Sequence, residues 1–111
     1  PDEEKLVLEV ARMIKIGILQ QAAFDKIDTY CSPAKQFKLL RLMVGFYREA
    51  QKALKAGIPL ADIRSMQIIT RMLKAKFEIS EEEIGKIDAL YDEMMEEFKA
   101  LTAREVKQVV G

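Results

Sequence analysis

The chain of 111 residues contains no histidine. That absence removes the usual imidazole general base, the Ser/His/Asp triad and every metal site that needs a histidine ligand. One cysteine, Cys31, cannot close an internal disulfide or furnish a Cys-rich zinc site, and such sparing use fits a reducing cytosolic compartment. A catalytic thiol needs an activating base, so Cys31 is expected to be a small buried side chain. No apolar run approaches the roughly 18 residues that span a bilayer, and the N-terminal "PDEEKLVLEV" is acidic where a signal peptide is basic. No Gly-x-x-x-x-Gly-Lys-Ser/Thr motif is present, so the chain holds no phosphate cradle of its own. By its own chemistry this is a soluble, cytosolic domain and not an enzyme. It opens on Pro1 with no Met, which suggests a piece of a longer protein.

What is present points to one folded domain. Half of the residues are hydrophobic and 32% are charged, an ordinary globular composition at a length that can bury a core. Lys+Arg and Asp+Glu both number 18, so nothing overall favours a polyanion or an anionic membrane surface. The charge is unevenly placed, however: residues 1–56 hold ten bases against seven acids, and residues 57–111 hold eight bases against eleven acids. Solvated helix faces account for this, and a docking surface is the sharper alternative.

Residues 3–21 place Leu6, Val7, Val10, Met13, Ile14, Gly17 and Ile18 at spacings of three and four, which predicts a helix with a wide apolar face. Asp2 is its expected N-cap, with Glu3 and Glu4 in the first turn where the helix dipole favours acids. Gly17 costs on the order of 1 kcal/mol relative to Ala unless it admits a neighbouring backbone. A second helix is expected from Pro33 to Ala56, with Ser32 as N-cap, Pro33 at the first helical position and Gly57 as the stop. Phe37, Leu40, Met43, Val44, Phe46, Tyr47, Ala50 and Leu54 spread over more than half its wheel, which makes it central. Its remaining face is a basic stripe of Lys38, Arg41, Arg48, Lys52 and Lys55.

After Pro59, "LADIRSM" suggests a short turn of helix and "QIITRMLKAKF" a third main helix. Ser80 with Glu83 forms a capping-box pattern ahead of a fourth, whose stripe is Ile84, Ile87, Leu90, Tyr91, Met94, Met95, Phe98 and Leu101. The last ten residues, "TAREVKQVVG", either continue that helix or fray. The "SEEE" and "DEMMEEF" carboxylates read as its solvent face, and the six methionines as core filling. Strand alternation, repeats and low-complexity linkers are lacking. The expected fold is all-α, an antiparallel bundle of about four main helices.

The connection between the first two helices, "AAFDKIDTYC", is long for a bundle, where two to eight residues is usual. Asp25 and Asp28 can form local turns, and Phe24 and Tyr30 either plug the bundle end or face a partner. The run "LQQAAFDKIDTYCSPAKQFKLL" resembles the C-terminal region of the catalytic A subunit of archaeal A-type and vacuolar-type rotary ATPases, whose pattern is Leu-Gln-Gln-x-x-Phe-Asp-x-x-Asp-x-Tyr-Cys-Pro followed by a Lys-Gln segment. The likeness extends through "LVLEVARMI" and "MVGFYREAQKALKAGIPLADI", covering most of the first 63 residues, and loosens beyond residue 64. The family's acidic stretch before Leu-Gln-Gln is "KIGI" here, so any ionic contact made by those acids is missing.

The resemblance implies a single helical domain, residues 1–111, cut from a subunit whose P-loop, catalytic carboxylate and metal site lie in a separate nucleotide-binding domain. It implies ATP or ADP with Mg as ligands of that parent subunit, and none for the isolated piece. It also implies an aromatic against the adenine ring at Phe24, with Gln20 and Gln21 as pocket neighbours. Base stacking of that kind contributes on the order of 1 kcal/mol or more. Implied partners are the nucleotide-binding domain of the same subunit, the B subunits of the hexameric head and the central stalk. The implied place is the cytoplasmic face of the membrane, which the domain meets only through the complex. Cys31 matches a cysteine that in vacuolar relatives can pair with one in the P-loop, and its role stays open. Two other classes compete: a free-standing helical adaptor, and a nucleic-acid-binding bundle using Lys38, Arg41, Arg48, Lys52 and Lys55, which the zero net charge disfavours.

Overall fold

The computed structural model describes residues 1–20 and 31–110, with side chains as far as Glu105. Helices make up most of the described residues, and no strand occurs among them. Helix α1 spans Asp2–Ile14 and passes directly into a π-helical turn, Lys15–Leu19. Helix α2 spans Pro33–Lys55, α3 is the short Leu60–Arg64, α4 spans Ile68–Glu78 and α5 spans Gly85–Val110. The four long helices are those expected, with α3 as the extra turn after Pro59.

Local chemistry sets most of the boundaries. Ser32 Oγ accepts from the Lys35 amide at 3.1 Å and Pro33 opens α2, while Gly57 takes φ +93° just past its end, a left-handed conformation that suits glycine. Two expected caps differ. Asp2 is the first residue of α1 rather than its cap, and no side chain caps that end. Ser80 Oγ donates to Glu83 Oε1 at 3.1 Å, side chain to side chain, and Glu81–Glu83 form a 3-10 turn ahead of α5. The tail beyond Leu101 continues as helix to Val110.

Cross-helix contacts set the directions. Glu9 pairs with Arg64, Gly17 lies against Leu73 and the Ile18 carbonyl meets Lys76, so α1 and α4 run the same way. Arg71 pairs with Glu93 while Gln67 meets Glu97, so α4 and α5 are opposed. Lys38 meets Asp88, Gly45 meets Tyr91 and Met94, and Phe46 meets Phe98, so α2 and α5 lie side by side in one direction. Consecutive main helices therefore alternate, as expected, but the α2 and α5 pair is parallel.

Leu39, Leu42, Met43, Phe46 and Ala50 of α2 are buried among residues of α1, α4 and α5. Full burial of a Leu, Met or Phe contributes roughly 1.5–3 kcal/mol each. Leu39 and Leu42 turn that buried arc inward, which leaves the other side of the helix outside the bundle. Phe37, Leu40 and Val44, expected on the apolar face, are consequently 68%, 46% and 36% exposed. Met13, Met43, Met66, Met72 and Met94 are buried and Met95 half-buried, so the methionines fill the core.

The basic stripe of α2 largely answers α5 and its own helix. Lys38 and Arg41 both pair with Asp88, Arg41 also lies 4.1 Å from the Tyr91 ring centre, and Lys52 pairs with Glu49. A Cβ on Gly45 would come within 2.6 Å of the Tyr91 ring, whereas one on Gly17 would meet the flexible end of Met43 at 2.8 Å. Gly45→Ala is therefore expected to destabilise the chain by about 1–3 kcal/mol through overpacking. Gly17→Ala should cost less, because Met43 can swing away. Urea denaturation of the two variants checks the order, and a stabilised Gly45→Ala would contradict the close α2 to α5 approach.

Candidate functional site at the α1 to α2 junction

Of the residues singled out for an adenine contact, Gln20 is described: it is exposed, with extended backbone at φ −75° and ψ 136°. Gln21 and Phe24, with Asp25, Asp28 and Tyr30, lie outside the described residues. The structure therefore defines the two stems of the junction.

The first stem leaves α1 through the π turn. The Gln20 amide donates to the Lys15 carbonyl at 2.8 Å, the long-range bond of a π turn. Widening the turn leaves the last carbonyls in need of donors. Lys76 of α4 supplies one, its Nζ lying 2.6 Å from the Ile18 carbonyl and 3.4 Å from that of Gln20. The second stem enters α2 at Cys31 and Ser32. The Ser32 amide donates to Glu81 Oε2 at 3.3 Å, and one turn into α2 Lys35 is only 4% exposed.

Lys35 closes the end of α4. Its Nζ donates to the carbonyls of Lys76 at 2.8 Å and Ile79 at 2.5 Å, and lies 4.0 Å from Glu81. A buried ammonium is tolerable when carbonyls and a carboxylate surround it. Both stems thus end on the C-terminal turn of α4. Sequence reasoning missed Lys35 and Lys76, although their register was informative. Lys35 stands four residues before the buried Leu39 and seven before Leu42, on the inward face of α2, and Lys76 stands four after the buried Met72.

Cys31 is free and half-buried. Burial pushes its thiol above the ordinary range; Lys35 draws it down, Glu81 adds to the rise and Lys76 draws it down. No group of three or more acidic or Cys side chains converges as a metal site among the described residues. Lys35 and Lys76 are committed to carbonyls, whereas Lys15, at the start of the π turn, is exposed.

Two surface hollows lie toward the other end of the bundle. One, of about 340 Å³, is bordered by Asp62, Gln67, Glu97 and Arg104; the other, of about 450 Å³, by Lys52, Phe98 and Thr102. In the first, Glu97 accepts from the amides of Gln67 at 2.8 Å and Ile68 at 2.9 Å, and so caps the start of α4. That carboxylate has a structural task.

Residues 1–64, from α1 through α3 with the whole junction, match the family model described as the C-terminal domain of V and A type ATP synthase. The chain belongs to that family. Over 103 residues it is 39% identical to the A subunit of the A-type ATP synthase of Ignicoccus hospitalis, covering 91% of this chain and 17% of that protein. It is 40% identical over 106 residues to the V-type ATP synthase alpha chain 2 of Clostridium tetani, covering 89% and 18%. Identity reaches 42% over 101 residues with the corresponding A-type ATP synthase polypeptide of Thermococcus onnurineus, covering 91% and 17%. The chain spans less than a fifth of the length of these relatives. Similarity continues past residue 64 in all three, so the α4 residues that hold the stems fall within the related region.

Two outcomes follow for this family member. Lys35→Met keeps the aliphatic stem but removes the ammonium from two carbonyls, and should cost about 2–4 kcal/mol in chemical denaturation. Because burial raises the Cys31 pKa, its alkylation by iodoacetamide should be slower than that of a free thiol at neutral pH. The rate should reach its half-maximum at higher pH, and a reactive, low-pKa thiol would contradict the buried setting.

Proposed function

We propose that this chain is the C-terminal helical domain of the catalytic A subunit of an A/V-type rotary ATPase, residues 1–111 forming one domain after a nucleotide-binding domain. In this reading it completes the adenine side of the nucleotide site and passes closure of that site toward the central stalk, coupling ATP synthesis or hydrolysis to ion transport. Phe24 stacks on the adenine, and Gln20 and Gln21 line the pocket beside it.

The observation that carries the reading is the anchored junction. The family motif "LQQAAFDKIDTYCSP" lies between two stems held by the same end of α4. Lys35 and Lys76 are bonded to carbonyls, and the chain carries no P-loop motif. ATP or ADP with Mg would therefore be held mainly by the nucleotide-binding domain, where a P-loop and catalytic carboxylate belong. The partners are that domain, the B subunits of the head and the central stalk, with no nucleic acid. No helix among the described residues is long and apolar enough to cross a membrane, which agrees with a cytoplasmic, peripheral place that reaches the membrane only through the complex.

The second reading, a free-standing helical adaptor, draws on one observation: Phe37, Leu40 and Val44 form an exposed apolar stripe on α2. The basic stripe lends it less, since Lys38, Arg41 and Lys52 already have partners in the fold. The upstream reading frame separates the two, through a P-loop domain for the ATPase and a start codon for the adaptor. In the full-length subunit, Phe24→Ala should weaken ATP binding about fivefold to tenfold, the loss of one aromatic stack. Unchanged affinity would remove Phe24 from the pocket, and micromolar ATP binding by the isolated chain would contradict a half-site.

A further inference from the structure

We infer that the outward face of α2 is the seat of a neighbouring domain of the same subunit, one that presents apolar side chains bordered by carboxylates; this rests on the reading of the chain as part of a longer subunit. Phe37, Leu40 and Val44 are exposed at spacings of three and four, so they form one strip along the helix rather than scattered surface residues. Arg41 and Arg48 stand among them, each four residues on from an apolar member of the strip, and both are exposed. Lys52 and Lys55 carry the basic character to the end of the helix. Glu49 is the one acid in α2; it is half-buried and pairs with Lys52, so no exposed residue of the helix is acidic. Arg48 has no ion-pair, side-chain hydrogen-bond or ring partner among the described residues.

Charge decides among the occupants. Covering the strip takes Arg48 out of water, which calls for a carboxylate opposite it. A second copy meeting this face with its own α2 brings exposed cations and no exposed acid. A surface with apolar side chains and acids answers both the strip and Arg48. Its source follows from size and place. The chain spans less than a fifth of the length of its relatives and matches a C-terminal domain, so in this reading most of the subunit lies outside these residues. Interfaces between domains of one polypeptide mix apolar and polar groups in this way. Phe37 lies only about 6 Å along the helix axis from Pro33, where the second stem enters α2. Leu19 at the end of the π turn and Phe77 in the last turn of α4 are exposed at that same end of the bundle. A domain that reaches the stems is thus within one turn of the strip.

The test uses the full-length subunit in its complex, with the photo-crosslinker p-benzoylphenylalanine placed at position 37, where the native ring is exposed and no core contact is lost. Irradiation should join position 37 to a part of the same polypeptide outside residues 1–111, identified by peptide mass spectrometry. Such a link leaves the subunit near its monomer mobility on a denaturing gel. With Arg48→Glu the yield should fall about threefold or more, since an attraction becomes a repulsion, and Arg48→Lys should keep it. An unchanged yield in Arg48→Glu would overturn the acidic chemistry assigned to the partner. If the probe at position 37 prevents folding, the same probe at position 40 carries the same expectation. A link that doubles the subunit's mass, a link to a different polypeptide, or no protein link at all would overturn the inference, and the second of these would favour the adaptor. Binding to phosphatidylserine vesicles that Phe37→Ser abolishes would overturn it in favour of a lipid surface. Weaker ATP binding in Phe24→Ala with no link from position 37 would overturn it while leaving the adenine pocket standing. A start codon in place of an upstream domain would instead remove the reading on which it rests.

Discussion

Carbonyl groups at the ends of helices must find donors, and the junction end of this bundle depends on two lysines that provide them. Lys76 serves the end of the π turn and Lys35 serves the end of α4. Neither ammonium is available for a ligand, yet together they tie three helices at one point. A charge-assisted hydrogen bond of this kind contributes about 1.5–3 kcal/mol, more than an exposed ion pair. The junction stems owe their placement to it.

Helix α2 gives the bundle its axis. It packs between α1, α4 and α5, and its parallel pairing with α5 places the basic half of the chain beside the acidic half. Lys38 and Arg41 meeting Asp88 follow from that register. Partly exposed pairs add about 0–1 kcal/mol each, so they select register more than they hold the helices together. The holding comes from the tight approach at Gly45 and the Phe46 and Phe98 rings, whose centres are 5.4 Å apart. The charge asymmetry seen along the chain is therefore mostly answered inside the fold.

The bundle's logic also explains its exposed apolar residues. With core partners on one broad arc, α2 buries Leu39, Leu42 and Phe46 and turns Phe37, Leu40 and Val44 outward. In the proposed reading, that outward face of α2 is surface a neighbouring domain of the subunit could cover.

Elements that rest on neighbouring residues were legible in the chain. Ser32 with Pro33 and Gly57 marked the limits of α2, since caps and left-handed stops are local chemistry. Periodicity revealed the stripe of α5, because burial repeats with the helical turn, and Pro59 marked the short α3 that follows it. The motif between Leu19 and Pro33 identified the family, and the absence of histidine excluded whole classes of chemistry. The sequence could not disclose that α2 and α5 run parallel, which hydrophobic side of α2 faces inward, or that Lys35 is buried while Phe37 is not. Those outcomes depend on which helices pack together and on where the ends of α1 and α4 meet, so only the tertiary structure decided them.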